Sequence, residues 1–374
     1  MSRPVAVIDN EQETFPLEFR SEGPAEKLQG LVLSGEWIVV ERLVRDVGDV
    51  GQSRSACYRA VSRTGGISAF VKAFDFRFDD QLGDTNRLER NVREFNHEKN
   101  VHEHCRDLTR VTRIYGHGHV IVDEQAVHFI VCEYADHSFR SKQPPGETAI
   151  LVSDRLDGLK KIALAILQLH WVGVAHQDVK PSNAVCFNDD VVKLTDLGSS
   201  SCVHLPAPPH DANRLVGQPN YAPYELLYES TQLPSRQRSR YACDAYLLGN
   251  LIFTSFVGHS LTVIALHWLD ESMWHTSGNV SYEDVLPDLI SAHSSIVPDF
   301  LNEFVPDEIF QDLCSLIMSL CHPDPSQRGL SKWISGGERH LDLNRCVGTL
   351  NTLCQRAKFY EQKKRRNLDS SSVR

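Results

Sequence analysis

The chain has 374 residues, 41% hydrophobic and 24% charged, with a formal net charge of -10, a globular composition that points away from nucleic acid as a partner. Its size fits one bilobal domain or about two domains. Ten cysteines without a C-x-x-C pair read as reduced core thiols rather than a zinc ribbon or redox dithiol, and MSRPVAVIDNEQETF lacks a secretory apolar run, which together point to a cytoplasmic protein.

Residues 1–30 carry Pro4, Pro16, Pro24 and acidic residues without a clear period, the pattern of a loosely ordered leader. WIVVERLV, SACYRAV and ISAFVKAF are rich in β-branched or aromatic residues and divided by Gly-containing turns. They predict an antiparallel meander starting near Trp37. A polar helix is expected from about Asn86 to His104, and RVTRIYGHG with AVHFIVCEYA completes about five strands. GHGH, at 116–119, reads on its own as a turn before a strand. This β-rich lobe occupies residues 31–135.

After SKQPPGE the pattern changes. RLDGLKKIALAILQLHWVG spaces Leu156, Leu159, Ile162, Ala163, Ile166, Leu167 and Leu169 at mostly three- and four-residue steps, which predicts a helix with a buried stripe. Helices dominate to about Cys354, giving a larger lobe over 136–350. Ala245 to Leu269 contains no Asp, Glu, Lys or Arg and is long enough to cross a bilayer. Gly249, Asn250, Thr254 and Gly258 interrupt it, so a buried helix with its continuation is expected instead of a membrane span. Residues 351–374, basic and then Ser-rich, read as a solvated tail. The layout is α+β, a small β-rich lobe and a larger helical lobe with a ligand cleft expected between them.

The chemistry concentrates in GVAHQDVKPSNAV, residues 173–185. Asn183 lies five residues after Asp178, and Asp196 lies eighteen after it, beyond AVCFNDDVVKL, which looks like two short strands joined by an Asn-Asp-Asp turn. A hairpin of that length returns Asp196 close to Asn183. One amide and one carboxylate then converge, a ligand pair that suits Mg²⁺ held on phosphate oxygens. Asp178 is left to orient or deprotonate an acceptor hydroxyl, and Lys180 offers a point charge to a transferring phosphoryl group.

HQDVKPSN resembles the catalytic loop of the eukaryotic-type (Hanks-type) Ser/Thr protein kinase family, and DLGSS resembles its Asp-Phe-Gly metal-binding motif with Leu for Phe. The resemblance implies the bilobal protein-kinase fold, ATP and Mg²⁺ as cofactors, a protein substrate and a Ser/Thr kinase activity. It makes Asp178 and Lys180 catalytic and Asn183 and Asp196 metal ligands. Lys72 in AFVKAF is similar to the strand lysine that holds the α- and β-phosphates, with Glu98 its helix partner and Glu94 the alternative one turn away. VCEYA resembles the hinge, so Cys132 is the gatekeeper and Glu133 and Ala135 meet the nucleotide. GQPNYAPYE resembles the end of an activation segment, with Glu225 paired to Arg328 in HPDPSQRG. His176, Gly198 and Asp244 would support the catalytic loop and the metal motif.

Four departures stand out. DVGDVGQSRSACYRA offers only Gly48 and Gly51 to approach the phosphates. Gln177 replaces the arginine that, in many family members, receives a phosphorylated activation-segment residue; Gln cannot do so by charge pairing, so activity without that phosphorylation is expected. Gln218 stands where Ser/Thr-directed kinases usually carry Thr. Lys72 and Glu98 are 26 positions apart, which suggests an inserted loop at DFRFDDQLGDTN. Ser199, Ser200 and Ser201 are candidate autophosphorylation sites. A pseudokinase acting as a nucleotide-binding scaffold and a small-molecule kinase of the same fold are the alternative readings.

Overall fold

The structure, a computed structural model, describes residues 22–43, 55–74, 85–188, 190–212, 215–230, 236–278, 280–329 and 343–372. Gly48, Gly51, residues 1–21 of the leader and most of the DFRFDDQLGDTN insertion lie outside the described residues.

The small lobe runs β1 (Val32–Leu33), β2 (Trp37–Leu43), β3 (Ser55–Ser62), β4 (Ser68–Phe74), α1 (Thr85–His104), β5 (Ile114–Val122) and β6 (Gln125–Glu133). Among the described residues these strands form one antiparallel sheet ordered β1-β2-β3-β4-β6-β5. Its apolar face buries Leu33, Val39, Tyr58, Val71, Phe129 and Val131, side chains worth about 1.5–3 kcal/mol each for the larger aliphatics and aromatics. GHGH lies inside β5 rather than in a turn before it. Pairing with β6 decides this, since His117 faces Ile130 and His119 faces His128, and two glycines in a strand do not break a ladder that a long partner completes.

Order also begins earlier than Trp37. Pro24–Glu26 form a 3-10 turn, Ala25 and Leu28 are buried in the sheet's core, and the Tyr58 hydroxyl donates to the Ala25 carbonyl at 2.7 Å. Two small apolar residues in a proline-rich, acidic stretch leave almost no periodic signal.

The large lobe follows as β7 (His137–Ser138), α2 (Phe139–Lys142), α3 (Val152–Trp171), β8 (Val174–Ala175), β9 (Ala184–Phe187), β10 (Val191–Leu194), β11 (Ser201–Cys202), α4 (Tyr224–Leu227), α5 (Arg236–Val257), α6 (Leu261–Trp268), α7 (Tyr282–Leu301), α8 (Asp307–Leu320) and α9 (Leu343–Ser372). The apolar stripe of α3 is fully buried at the centre of this lobe's core. Among the described residues no single helix is long and apolar enough to cross a membrane. The uncharged run 245–269 is divided between α5 and α6, which meet at 86°.

A boundary at residue 350 falls inside α9. Leu343, Cys346, Leu350, Leu353, Cys354 and Ala357 are buried against the large-lobe core, a stripe of three- and four-residue steps. Glu361 reaches back to α3, accepting from the Ser153 amide at 3.0 Å and the Ser153 hydroxyl at 2.6 Å. Those bonds satisfy a donor in the first turn of α3, whose own N-cap, Leu151, offers no side-chain acceptor. The basic composition of the tail hid that stripe.

Candidate active site

β4 and α1 bring the first part of the site together. Alternation along β4 sends Val71 and Ala73 into the core and leaves Lys72 on the opposite face. There Phe74, Phe95, Ile130 and Cys132 pack as a separate cluster, and the Phe74 and Phe95 rings meet edge-on at 5.2 Å. Phe95 thus pins α1 to the sheet, and Glu98, three residues on and on the same helix face, lands on Lys72.

The Lys72 ammonium lies 2.9 Å from both Glu98 carboxylate oxygens and 2.8 Å from Asp196 Oδ1. Glu94 is exposed, so Glu98 is the partner. Burial alone would lower the Lys72 pKa, but Asp196 and then Glu98 more than reverse it, and the ammonium is held charged. Lys72 in turn holds the Asp196 carboxyl well below the usual carboxylate range. Burial pushes Glu98 up while Lys72 pulls it back. Of the two carboxylates, Asp196 is the firmly ionised one, and its side chain is 44% exposed.

The β9–β10 hairpin pairs Ala184 with Leu194, which returns Asp196 to the neighbourhood of Asn183. The Asn183 amide nitrogen donates to the Asp178 carbonyl and to Asp178 Oδ2, both at 2.8 Å. That geometry leaves the amide oxygen as a ligand, and with an ionised Asp196 the residues fit a hard divalent cation that keeps water and phosphate oxygens as its other ligands. Lys180 Nζ is 3.1 Å from Asp178 Oδ2. Burial raises the Asp178 pKa, with Lys180 opposing it, the direction that makes a carboxylate a better proton acceptor.

Asp244, fully buried, fixes the loop from beneath. Its Oδ1 accepts from the Gln177 amide at 2.7 Å, and its Oδ2 accepts from the His176 amide and from His170 Nε2, both at 2.8 Å. His176 Nε2 donates to the Thr195 carbonyl at 3.1 Å, tying the 173–185 loop to the segment that leads from β10 into Asp196. His170 was not among the sequence candidates; six residues before His176 at the end of α3, it offered no motif of its own.

Two backbone positions are held in the left-handed region, Gln177 at φ 62° and Asp196 at φ 61°. Non-glycine residues adopt it at a cost of about 1–3 kcal/mol, and only where surrounding bonds enforce it. Gly217 closes over the loop: at φ 79°, a β-carbon there would lie 2.7 Å from the Gln177 carbonyl and 3.0 Å from Asp178 Oδ1. Close approach and backbone angle both require glycine. The Gln177 side chain is 6% exposed and its amide oxygen has no hydrogen-bond partner among the described residues.

Glu225 on α4 meets Arg328, both buried. Glu133 closes the hinge end, its carboxylate bonded to Lys193 and to the Arg113 amide, with Ala135 two residues on and half-buried. Cys132 is buried, which raises its thiol pKa. Ser200 and Ser201 are 0% and 3% exposed, and Ser201 pairs with Ala175 in a strand. They are therefore not accessible hydroxyls, a correction to their place among autophosphorylation candidates.

A family model described as the protein kinase domain matches residues 45–332. Among curated proteins the chain is similar to serine/threonine-protein kinase PTK1/STK1 of Saccharomyces cerevisiae, 33% identical over 129 residues, which is 31% of this chain and 19% of that protein. It is also similar to an Aurora kinase of Yarrowia lipolytica, 30% identical over 141 residues, 37% of this chain and 36% of that protein. An Aurora kinase of Schizosaccharomyces pombe is 30% identical over 160 residues, 41% of each chain. The matched stretches thus span less than half of these relatives' own lengths.

Proposed function

This chain belongs to the protein kinase domain family, and we propose that it transfers the γ-phosphoryl group of ATP to Ser or Thr hydroxyls of protein substrates, without needing a phosphate on its activation segment. The observation that carries the proposal is the Lys72 ammonium held between Glu98 and Asp196, beside Asp178, Lys180 and Asn183 gathered within hydrogen-bond reach of one another.

Lys72 would hold the α- and β-phosphates, and Glu98 keeps it extended toward the cleft. Glu133 and Ala135 would meet the adenine edge through their backbone, while Asn183 and Asp196 would hold Mg²⁺, which screens the phosphate charge when bound. Asp178 orients the acceptor hydroxyl and takes its proton; Lys180 faces the moving phosphoryl group. Positioning and charge neutralisation supply most of the acceleration in this chemistry, and Lys72, Asp178, Lys180, Asn183 and Asp196, all intact, supply both here. That count weighs against a binding-only protein. The Lys180-Pro181 pair and the Glu225–Arg328 anchor favour a protein over a small molecule as acceptor.

Gln177 is the reason to expect activity without segment phosphorylation. Its side chain carries no charge to receive a phosphate, and its buried position beneath Gly217 gives a phosphate no access to it. Intact mass after incubation with ATP and Mg²⁺, beside Asp178→Asn and Lys72→Met and with a generic basic protein as acceptor, tests the proposal. Phosphate added to the acceptor by the wild type alone is the expected result. Nucleotide binding without transfer to any protein overturns it.

A further inference from the structure

His97 occupies the position next to Glu98 on α1 and is 8% exposed. Its Nε2 donates to the Ser200 carbonyl at 2.7 Å, and its ring meets that of His210 edge-on at 5.7 Å. Ser200 is 0% exposed, so its carbonyl is shut off from bulk water. The Ser200 amide closes the 3-10 turn onto Leu197 at 3.1 Å, and that turn begins directly after Asp196. On the other side of the same turn, a β-carbon on Gly198 would sit 3.0 Å from Glu98 Oε2.

We infer that His97 is a positioning residue for the phosphoryl-transfer site: it clasps α1 to the start of the activation segment and supplies the order that a segment phosphate cannot supply through Gln177. The inference rests on the kinase reading above and extends it to how the site is kept in register.

The physical argument starts at Asp196. Its left-handed backbone is strained and persists only if the following turn is fixed from outside. Lys72 fixes the carboxylate, but an ion pair to a long, flexible lysine constrains the carboxylate's position more than the backbone behind it. His97 fixes the backbone itself, two residues past Gly198, and does so from the helix that carries Glu98. A displacement of α1 therefore breaks two contacts at once, Glu98 to Lys72 and His97 to Ser200, which makes α1 and the Asp196 turn move as one body. Burial lowers the His97 pKa, which keeps the ring neutral with Nε2–H as its donor. His210, in the Pro209–Ala212 turn, extends the clasp further along the segment.

The test uses the full chain with His97→Phe, which keeps the ring and removes the donor, and His97→Gln, whose side-chain amide can reach the same carbonyl. Hydrogen exchange is followed for the segment 197–203 and, as an internal control, for α8. Removing the His97 donor from this buried carbonyl should speed exchange in 197–203 about tenfold or more, with α8 unchanged. The phosphoryl-transfer kcat of the Phe variant should fall by a similar factor while KM for the protein acceptor stays put, and Gln should restore both. Wild-type exchange and kcat in the Phe variant overturn the clasp, as does a Gln variant as defective as Phe, or faster exchange spread equally over α8. A wild type that transfers no phosphate, yet whose 197–203 protection depends on His97, refutes the kinase reading and upholds the clasp.

Discussion

Arg328 and Glu225 meet through two parallel hydrogen bonds, Nη1 to Oε1 at 2.6 Å and Nη2 to Oε2 at 2.7 Å, with side chains 0% and 2% exposed. The guanidinium also donates to the carbonyls of His322, Pro323 and Ala242 and lies over the Tyr246 ring at 4.9 Å. The pair joins the end of the activation segment, the start of α5 and the turn after α8. Removing one partner strands a buried charge, and such losses run about 3–5 kcal/mol. Arg328→Ala and Glu225→Ala should each lower the unfolding free energy by that order, while Arg328→Met with Glu225→Leu should lie closer to the wild type than either single variant. Denaturant titration of the four proteins checks this; additive losses in the double variant would sink it.

Asp178 and Lys72 should fail differently. Asp178→Asn keeps the Asn183 contacts nearly isosteric and removes the proton acceptor, so kcat should drop about 10²–10⁴-fold with nucleotide affinity little changed. Lys72→Met removes the ammonium that Glu98 and Asp196 share. Nucleotide affinity should weaken along with kcat, because both phosphate contact and Asp196 placement go. A thermal-shift titration with Mg-ATP beside steady-state kinetics separates the two patterns, and equal nucleotide affinity in both variants would count against the role given to Lys72.

Treatment with a broad phosphatase, followed by its removal, should leave transfer activity unchanged. The carrying observation is Gln177, uncharged, buried and with its amide oxygen unpartnered among the described residues. Loss of activity that returns on re-phosphorylation would mean that another cation receives a segment phosphate.

Much of the site was legible because motif residues sit at fixed intervals on short connections. Asp178, Asn183 and Asp196 are separated by one hairpin, and hairpin pairing is a local matter. The Lys72–Glu98 pair was half legible, since helix periodicity put Glu94 on the same face and only the Phe95 packing on Phe74 selects one of them. His170 and His97 were not legible: each acts through a hydrogen bond, to Asp244 or to Ser200, between segments 74 and 103 positions apart. The fold's centre was plain from the α3 stripe. Its margins, the 24–33 strap and α9, were obscured where charge or proline outweighed a sparse apolar pattern.

Helix α9 should be part of the folded domain, not an appendage to it. A stop after residue 350 removes Leu353, Cys354 and Ala357 from the core and Glu361 from Ser153. Loss of two or three buried apolar side chains and one cap sums to several kcal/mol, a large fraction of a domain's stability. A stop after residue 362 keeps all of these and deletes the exposed basic stretch Lys363 to Arg366 together with the residues that follow it. The shorter chain should be insoluble or melt far lower, and the longer one should match the full chain in a melting curve. Equal melting of the two would return the segment to a solvated tail.

Acid should weaken the fold through its buried histidines. His293 is 3% exposed with Nε2 2.8 Å from the Tyr224 hydroxyl, and burial, then the Arg328 charge, brings its pKa down to about 3. His102, also 3% exposed, is brought down to about 4 by burial ahead of the Lys72 charge. In the unfolded chain both protonate near their ordinary value of about 6.5. Between that pH and about 4 the unfolded state binds more protons than the folded one, so stability rises with pH across the window and is lost as pH falls through it. At pH 5 each histidine accounts for about 2 kcal/mol of that loss. His293→Phe removes the Tyr224 contact and lowers stability at neutral pH, but it also deletes one of the histidines that titrate in this window. The drop in melting temperature from pH 7 to pH 5 should therefore be smaller in His293→Phe than in the wild type. An acid limb of equal depth in both proteins would show that His293 is not held neutral in the fold.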